Sequence, residues 1–272
     1  MNAAAKVEFF DKPYTHFEEQ VLVKIREQTF GKDIGQTSWV TVPEYDAFVP
    51  FLRLTPGARV LEVASGSGGP SVYLALRTGC SVTGIDLNPH GIATATRHAT
   101  QAGVRGRVRF QMGDATRLLP FAEGTFDAVL CLDSMNHFPD RDHALREWRR
   151  VLRPGGRAVF TDPVVITGPV TDEELARRSS IGRFIFVPRG VNEELILKSG
   201  FRLVSQMDLT ENAALVSRRW RESRERFRDE LMRMEGAEQF AGVQKFLGSV
   251  HQLTAERRLS RVAYLVERPW SS

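Results

Sequence analysis

An α/β fold with a doubly wound, mostly parallel sheet is what these 272 residues predict. Three observations carry that expectation. Short apolar runs at 60–63, 82–86, 108–112, 128–132 and 158–161 are separated by stretches of helix length, and strands alternating with helices make a parallel sheet covered on both faces. Glycines stand where the intervening helices must stop, at Gly79 and Gly103. A glycine-rich loop, residues 62–69, joins the first run to the first of those helices. With 42% hydrophobic and 26% charged residues, the chain has the balance of a globular protein rather than a disordered one.

The elements follow in order. Thr15 with Glu18 reads as a capping box, in which each side chain satisfies the other's free backbone N–H. The helix it opens has Phe17, Val21 and Ile25 on one face and Gly31 at its end. A polar loop, 32–39, leads to a second short helix near 44–52, so residues 1–55 read as a helical segment ahead of the main domain, 56–272. In that domain come strand 60–63, helix 71–77, strand 82–86, helix 89–102, and strands 108–112 and 128–132. Asp140 then caps a helix whose apolar face is Leu145, Trp148 and Leu152, and the turn Pro154-Gly155-Gly156 enters strand 158–161. Residues 162–192 read as an irregular connection with one helix, 201–209 as a strand, 212–234 and 237–252 as helices, and 261–266 as the last strand. No repeat interrupts this order.

Composition narrows the function classes. No apolar run approaches the ~20 residues of a membrane span, and residues 1–10 lack the basic-then-apolar pattern of a secretory signal. The cytoplasm is the expected compartment. Cys80 and Cys131 read as small core residues, and no Cys/His cluster has zinc spacing, so no metal is expected. The net charge of +4 is mild. The stretch 218–233 holds seven arginines, but Glu222, Glu225, Asp229 and Glu230 are interleaved, and Trp220, Phe227, Leu231 and Met234 recur at helical spacing. It reads as an amphipathic helix with a salt-bridged outer face. Neither nucleic acid nor membrane is expected as a partner, and the chain is expected to be a monomer or homodimer.

The chemistry gathers at successive strand ends. Glu62-Val63-Ala64-Ser65-Gly66-Ser67-Gly68-Gly69 follows a strand and opens a helix. Glycines there let backbone approach a ligand that any Cβ would obstruct, and the helix start offers unpaired N–H groups. Asp86 ends the second strand, where a carboxylate suits the two hydroxyls of a ribose. Asp114, after the third strand, can accept from an exocyclic amine while neighbouring backbone reads a ring edge. Each has a plain structural alternative: a tight turn, a helix cap, and an Asx-turn.

Residues 58–162 resemble the class I S-adenosylmethionine-dependent methyltransferases, in particular the small-molecule, ubiquinone-biosynthesis-like group with a type 11 domain. The loop at 62–69 is similar to that family's first motif, Asp86 to its ribose-binding acid, and Asp114-Ala115 to its adenine-contacting pair. Residues 119–127 resemble its approach to strand four, and Leu152-Arg153-Pro154-Gly155-Gly156 its turn into strand five. One departure stands out: the family has glycine at the position of Ala64, at the methionine end of the cofactor.

The resemblance implies a Rossmann-like, doubly wound, seven-stranded sheet whose last strand is antiparallel. The N-terminal segment and the helical additions around 212–252 would cover the site. It implies S-adenosyl-L-methionine as cofactor, S-adenosyl-L-homocysteine as its product, and a small-molecule methyl acceptor taking the group on oxygen or nitrogen, with carbon as a third option. The implied cofactor residues are Glu62, Ala64, Gly66, Ser67, Gly68, Asp86, Leu87, Asn88, Gly113, Asp114, Ala115, Leu132, Asp133 and Ser134, with Gln36 and Ser38 closing over the methionine end.

Tyr14, Trp39, Asn136 and His137 are expected at the acceptor. His137 is the candidate base, because imidazole, with an ordinary pKa of ~6.5, accepts a proton near neutrality; the plain alternative is a histidine that orients its loop. Two other functional classes fit the loop less well. A nicotinamide-dependent oxidoreductase would want a glycine at Ser71, and a non-catalytic cofactor-binding module would keep the fold without the chemistry.

Overall fold

The computed structural model describes residues 13–270. Residues 1–10, read above for a signal pattern, lie outside that range. Five parallel strands form the body of the sheet: β1 (Arg59–Val63), β2 (Ser81–Asp86), β3 (Val108–Met112), β4 (Phe126–Cys131) and β5 (Leu152–Ile166). A two-residue β6 (Val187–Pro188) pairs with β5, and β7 (Arg202–Asp208) and β8 (Leu259–Glu267) complete the edge. The order is β3-β2-β1-β4-β5-β8-β7, with β8 antiparallel to both neighbours. The sheet therefore has the expected antiparallel last strand, and β6 makes it eight strands rather than seven.

Ten helices are needed to place the site: α1 (Gln20–Phe30), α2 (Val42–Leu52), α3 (Gly69–Thr78), α4 (Pro89–Gln101), α5 (Arg141–Val151), α6 (Asp172–Arg178), α7 (Val191–Lys198), α8 (Thr210–Arg226), α9 (Arg228–Glu235) and α10 (Ala237–Ala255). Side chains of β1 alternate between two buried layers. Val60 packs with Val72, Val82, Ala99 and Leu130 on one face, and Leu61 with Ile85, Val129, Trp148 and Phe160 on the other. Burial on both sides is why the central strands are apolar throughout.

Register aligns the strand ends. Val63 lies opposite Ile85, Glu62 opposite Leu130, and Asp86 opposite Met112. Ala64, Asp86, Gly113 and Leu132 consequently emerge along one edge. The chain winds away from β1 toward β2 on one side and β4 on the other, which leaves a crevice at that carboxyl edge.

Above the edge, α1, α8, α9 and α10 form a helical cap. Phe30, Trp39, Val216, Phe246 and Val250 share one apolar cluster, and Val21, Ile25, Leu231 and Phe240 another. The N-terminal and C-terminal additions thus pack on each other.

Local structure departs from the sequence expectation at four places. The first helix begins at Gln20, and Glu19 at its start makes no side-chain cap, so Thr15 and Glu18 do not open it. Val21 and Ile25 are buried on one face and the helix stops at Gly31, with φ 77°, as expected, but Phe17 lies ahead of the helix. The helix expected over 212–234 is broken at Phe227, which packs against the Val21–Leu231 cluster. Helix α7 has no counterpart in the expectation because it buries only Asn192 and Ile196, too few for a periodic signal. Strand β5 runs well beyond 158–161, from Leu152 to Ile166, and pairs with β8 from Arg157 onward.

Candidate active site

A cavity of about 430 Å³ opens at the carboxyl edge of the sheet. Its wall includes Glu62, Ala64 and Ser65 after β1, Asp86, Leu87 and Asn88 after β2, and Gly113, Asp114 and Ala115 after β3. Leu132, Asp133, Ser134 and His137 follow β4, and Tyr14, Thr37 and Ser38 come from the N-terminal segment. Most of the sequence candidates therefore meet in one place.

The three acids differ in what they have left to offer. Glu62 is 2% exposed and accepts from the Ser71 hydroxyl at the start of α3. Burial raises its carboxyl to about 7, against the opposing pull of the Ser71 bonds. Asp86 accepts from the Gly66 N–H at 2.8 Å and the Asn88 N–H at 2.8 Å. Burial lifts its pKa as well, although these amide donors and that of Leu87 lower it. These amide donors do not exhaust the lone pairs of the Asp86 carboxylate, which keeps capacity for a hydroxyl donor.

The Asp114 carboxylate closes an Asx-turn, accepting from the Thr116 N–H at 3.0 Å and hydroxyl at 2.6 Å and from Arg117 at 3.1 Å. Its partial burial raises the pKa, but the Thr116 and Arg117 bonds outweigh this and hold it below the usual range. The helix cap that was the alternative for Asp86 belongs to Asn88 instead, whose side chain accepts from His90 and Gly91.

The glycine loop does something other than expected. Gly66 and Gly68 both have left-handed φ, 52° and 73°. A Cβ on Gly66 would stand 2.7 Å from the Tyr14 hydroxyl and 2.9 Å from Thr37 Oγ1, and one on Gly68 would collide with Phe110 and Ala95. These glycines admit the N-terminal segment and a neighbouring strand, so Gly66, Ser67 and Gly68 are not on the cavity wall. Ser67 is 1% exposed and donates to the Gly35 carbonyl. Ala64, the departure from the family pattern, is on the wall and has φ 56°, a conformation that L side chains resist.

Other candidates sit behind the wall. Gln36 braces its own loop, accepting from Ile34 and donating to Lys32 and Val40. Trp39 packs in the cap against Trp220 and Phe246. Asn136 is fully buried, with its backbone carbonyl accepting from the Ile185 N–H. Asp133 reaches the wall, but its carboxylate is committed to Arg261, Thr161 and the Trp39 N–H. It holds φ 54°, so the end of β4 is strained into place.

His137 closes the 3-10 turn Met135–His137. Its Nδ1 lies 3.1 Å from the Arg183 carbonyl. A carbonyl can only accept, so Nδ1 carries the proton and Nε2 in the neutral ring is the acceptor. Nε2 lies 3.3 Å from the Asn136 amide.

Two hydroxyls on the wall, Ser38 Oγ and Ser65 Oγ, are buried without a hydrogen-bond partner among the described residues. Buried polar atoms are rarely left so, and both lie where a polar ligand would satisfy them. Among the described residues no group of three or more His, Cys, Asp or Glu could hold a metal, and no helix is long and apolar enough to cross a membrane. Sequence reasoning did not pick out Ser65, Thr37 or Thr116, nor Gly182 and Arg183 from the 162–192 connection, all of which line the cavity.

Comparison with known proteins agrees with this geometry. Residues 61–160 match the family model of a methyltransferase domain. The 27-O-demethylrifamycin SV methyltransferase of Amycolatopsis mediterranei is 30% identical over 258 residues, covering 89% of this chain and 92% of that protein. Methyltransferase GfsG of Streptomyces halstedii is 39% identical over 121 residues, and the match spans 44% of this chain and 43% of that protein. Among solved structures, phosphoethanolamine N-methyltransferase 2 of Haemonchus contortus, in complex with phosphomonomethylethanolamine and S-adenosylhomocysteine, superposes with a TM-score of 0.79 at 22% identity. The superposition covers 96% of this chain and 60% of that one; at this identity the likeness speaks for the fold alone.

Proposed function

The chain belongs to the S-adenosylmethionine-dependent methyltransferases, and from that premise we propose that it methylates an oxygen of a small-molecule acceptor with His137 as the base. S-adenosylmethionine, when bound, supplies an electrophilic methyl group on a sulfonium. The residues of this chain bind, orient and deprotonate around it.

Asp86 takes the ribose hydroxyl on the lone-pair capacity its amide donors leave. Asp114 accepts from the adenine amine with its remaining lone pair, Ala115 and Gly113 contribute backbone at the ring edge, and Leu87, 48% exposed at the rim, covers the ring face. Glu62, Ala64, Ser65 and Ser38 hold the methionine end, and Leu132 and Ser134 complete the wall toward the acceptor. The described N-terminal segment, 13–55, and the helices α8 to α10 act as the lid, with Tyr14 and Thr37 seated over Gly66.

The observation that carries the oxygen reading is the His137 tautomer. With Nδ1–H held by the Arg183 carbonyl, Nε2 is the basic nitrogen of a ring on the cavity wall, and the Asn136 amide 3.3 Å from it is the donor that an acceptor hydroxyl would displace. An acceptor hydroxyl beside it passes its proton to Nε2 as its oxygen bonds the methyl carbon and the carbon–sulfur bond breaks. Much of the rate comes from holding oxygen and methyl in line, because the donor is already activated; proton transfer adds to it. The Amycolatopsis relative is named for an oxygen acceptor, which favours the same reading. Nitrogen or carbon acceptors remain the second choice. The site belongs to the cytoplasm in this proposal, in a monomer or homodimer.

Thermal melting tests the reading. S-adenosylhomocysteine is expected to raise the melting temperature and NAD to leave it unchanged, and labelled S-adenosylmethionine is expected to pass its methyl to phenols or alcohols. A shift with NAD alone would sink the proposal; transfer only to amines would sink its oxygen part.

A further inference from the structure

Arg178, the last residue of α6, is 1% exposed, yet no hydrogen bond or ion pair ties its side chain to another described residue, and its Nη1 is buried without a partner. The guanidinium lies over the rings of Phe184, at 4.8 Å, and Phe246, at 5.0 Å. Rings below a guanidinium stabilise its charge but leave the in-plane N–H groups unspent.

Two carboxylates are near enough to influence it, Asp133 and Asp162, and neither accepts a hydrogen bond from it. Asp133 is bound to Arg261, Thr161 and Trp39. Asp162 is bound to Arg141, Asn192 and the Val164 N–H. Burial pulls the Arg178 guanidinium down to about 9, against the two aspartates that raise it, so it is still charged at neutral pH.

Its position says what the charge is for. The Phe184 ring that it covers packs 5.0 Å from the His137 ring on the main cavity wall. Gly182 and Arg183, just after it in the chain, line the same wall. Phe246, on its other side, lines a second cavity of about 140 Å³ beneath the cap, whose wall shares Tyr14 and Thr37 with the first. Arg178 thus lies behind the walls of the two cavities, with the Phe184 ring between it and the proposed base.

We propose that Arg178 receives a carboxylate of the methyl acceptor, so that the substrate class is a hydroxy acid rather than a neutral phenol or alcohol. This rests on the acceptor lying beside His137. A planar guanidinium fork matches a carboxylate with two parallel N–H···O bonds, and an anion beside the base also sits well against the donor's sulfonium.

Benzoate and its neutral isostere benzamide are the probes, added to the full chain saturated with S-adenosylhomocysteine. Benzoate is expected to raise the melting temperature further and benzamide to have no effect. Arg178→Met is expected to weaken benzoate binding at least about tenfold while keeping the response to S-adenosylhomocysteine. Arg178→Lys, which keeps the charge without the fork, should bind benzoate at intermediate strength and serves if the Met variant fails to fold. Equal responses to benzoate and benzamide, no benzoate response, or an undiminished one in both variants would overturn the proposal. A wild-type protein without a response to S-adenosylhomocysteine would instead count against the methyl-donor reading.

Discussion

Asp133, at the end of β4, holds Arg261 of β8 through Oδ1–Nε and Oδ2–Nη2 contacts of 2.6 and 3.1 Å, and both side chains are almost wholly buried. Arg261 also meets Glu44 of α2 at 2.5 Å. The three groups tie the sheet edge, the last strand and the N-terminal segment together directly behind the cavity. Removing one partner of a buried pair leaves a buried charge uncompensated, which costs about 3–5 kcal/mol. Arg261→Met strands two carboxylates, whereas Asp133→Asn leaves Arg261 its Glu44 contact. Urea unfolding is expected to show both variants destabilised, Arg261→Met by more. Equal losses would mean that Glu44 contributes nothing to the group.

The buried Glu62 gives the protein a pH dependence of its own. Its folded pKa, about 7, is raised above the ordinary 4.5, so the stability from this group is present in full below the unfolded value and is lost as pH rises from about 4.5 through about 7. The shift corresponds to about 3 kcal/mol. Glu62→Gln keeps an acceptor for Ser71 and does not ionise, so it is expected to gain on the wild type by about that amount between pH 5 and pH 8, read by urea unfolding without cofactor. A constant difference across that range would rule out Glu62 as the titrating group.

Ala64 is the residue at which strain and family pattern coincide. At φ 56° an L side chain costs about 1 kcal/mol that glycine does not. Ala64→Gly is expected to stabilise the protein by up to about 1 kcal/mol, raising Tm by roughly 2–4 °C. A β-branched Ala64→Val, harder still to hold there, should lose stability. If both variants melt as the wild type does, the left-handed backbone at 64 is not present in solution.

These residues mark how far the sequence could be read. Glu62, Asp86, Asp114 and His137 were legible because each sits at or just past the end of an apolar run, and a parallel sheet brings all such ends to one edge. Their company was not. Asp133 and Arg261 lie 128 residues apart, and nothing local to either announces the pair, so Asp133 read as a ligand contact. Gln36 and Trp39 were placed in the right segment but turn inward, because a lid must also be packed from behind. The glycines of the loop read as room for a ligand, and the room at Gly66 is taken by Tyr14 and Thr37. Arg178 gave no signal: the second of two adjacent arginines at the end of a short helix looks solvated until the fold buries it.

The role of His137 can be separated from mere positioning. A glutamine at 137 retains an N–H donor for the Arg183 carbonyl and cannot take up a proton at neutral pH. If Nε2 accepts the acceptor's proton during transfer, His137→Gln lowers kcat with a hydroxyl acceptor by about 10²–10⁴-fold, while the melting shift with S-adenosylhomocysteine stays at the wild-type value. A histidine that only orients its loop predicts a different split: the glutamine, able to make the Arg183 bond, would keep most of kcat, and the more severe His137→Ala would raise KM instead. Acceptor ionisation offers a further check, because a phenol already deprotonated at the assay pH needs no base. The deficit of His137→Gln is therefore expected to shrink as acceptors of lower pKa are used, and a deficit that stays constant across such a series would assign His137 to positioning rather than proton transfer.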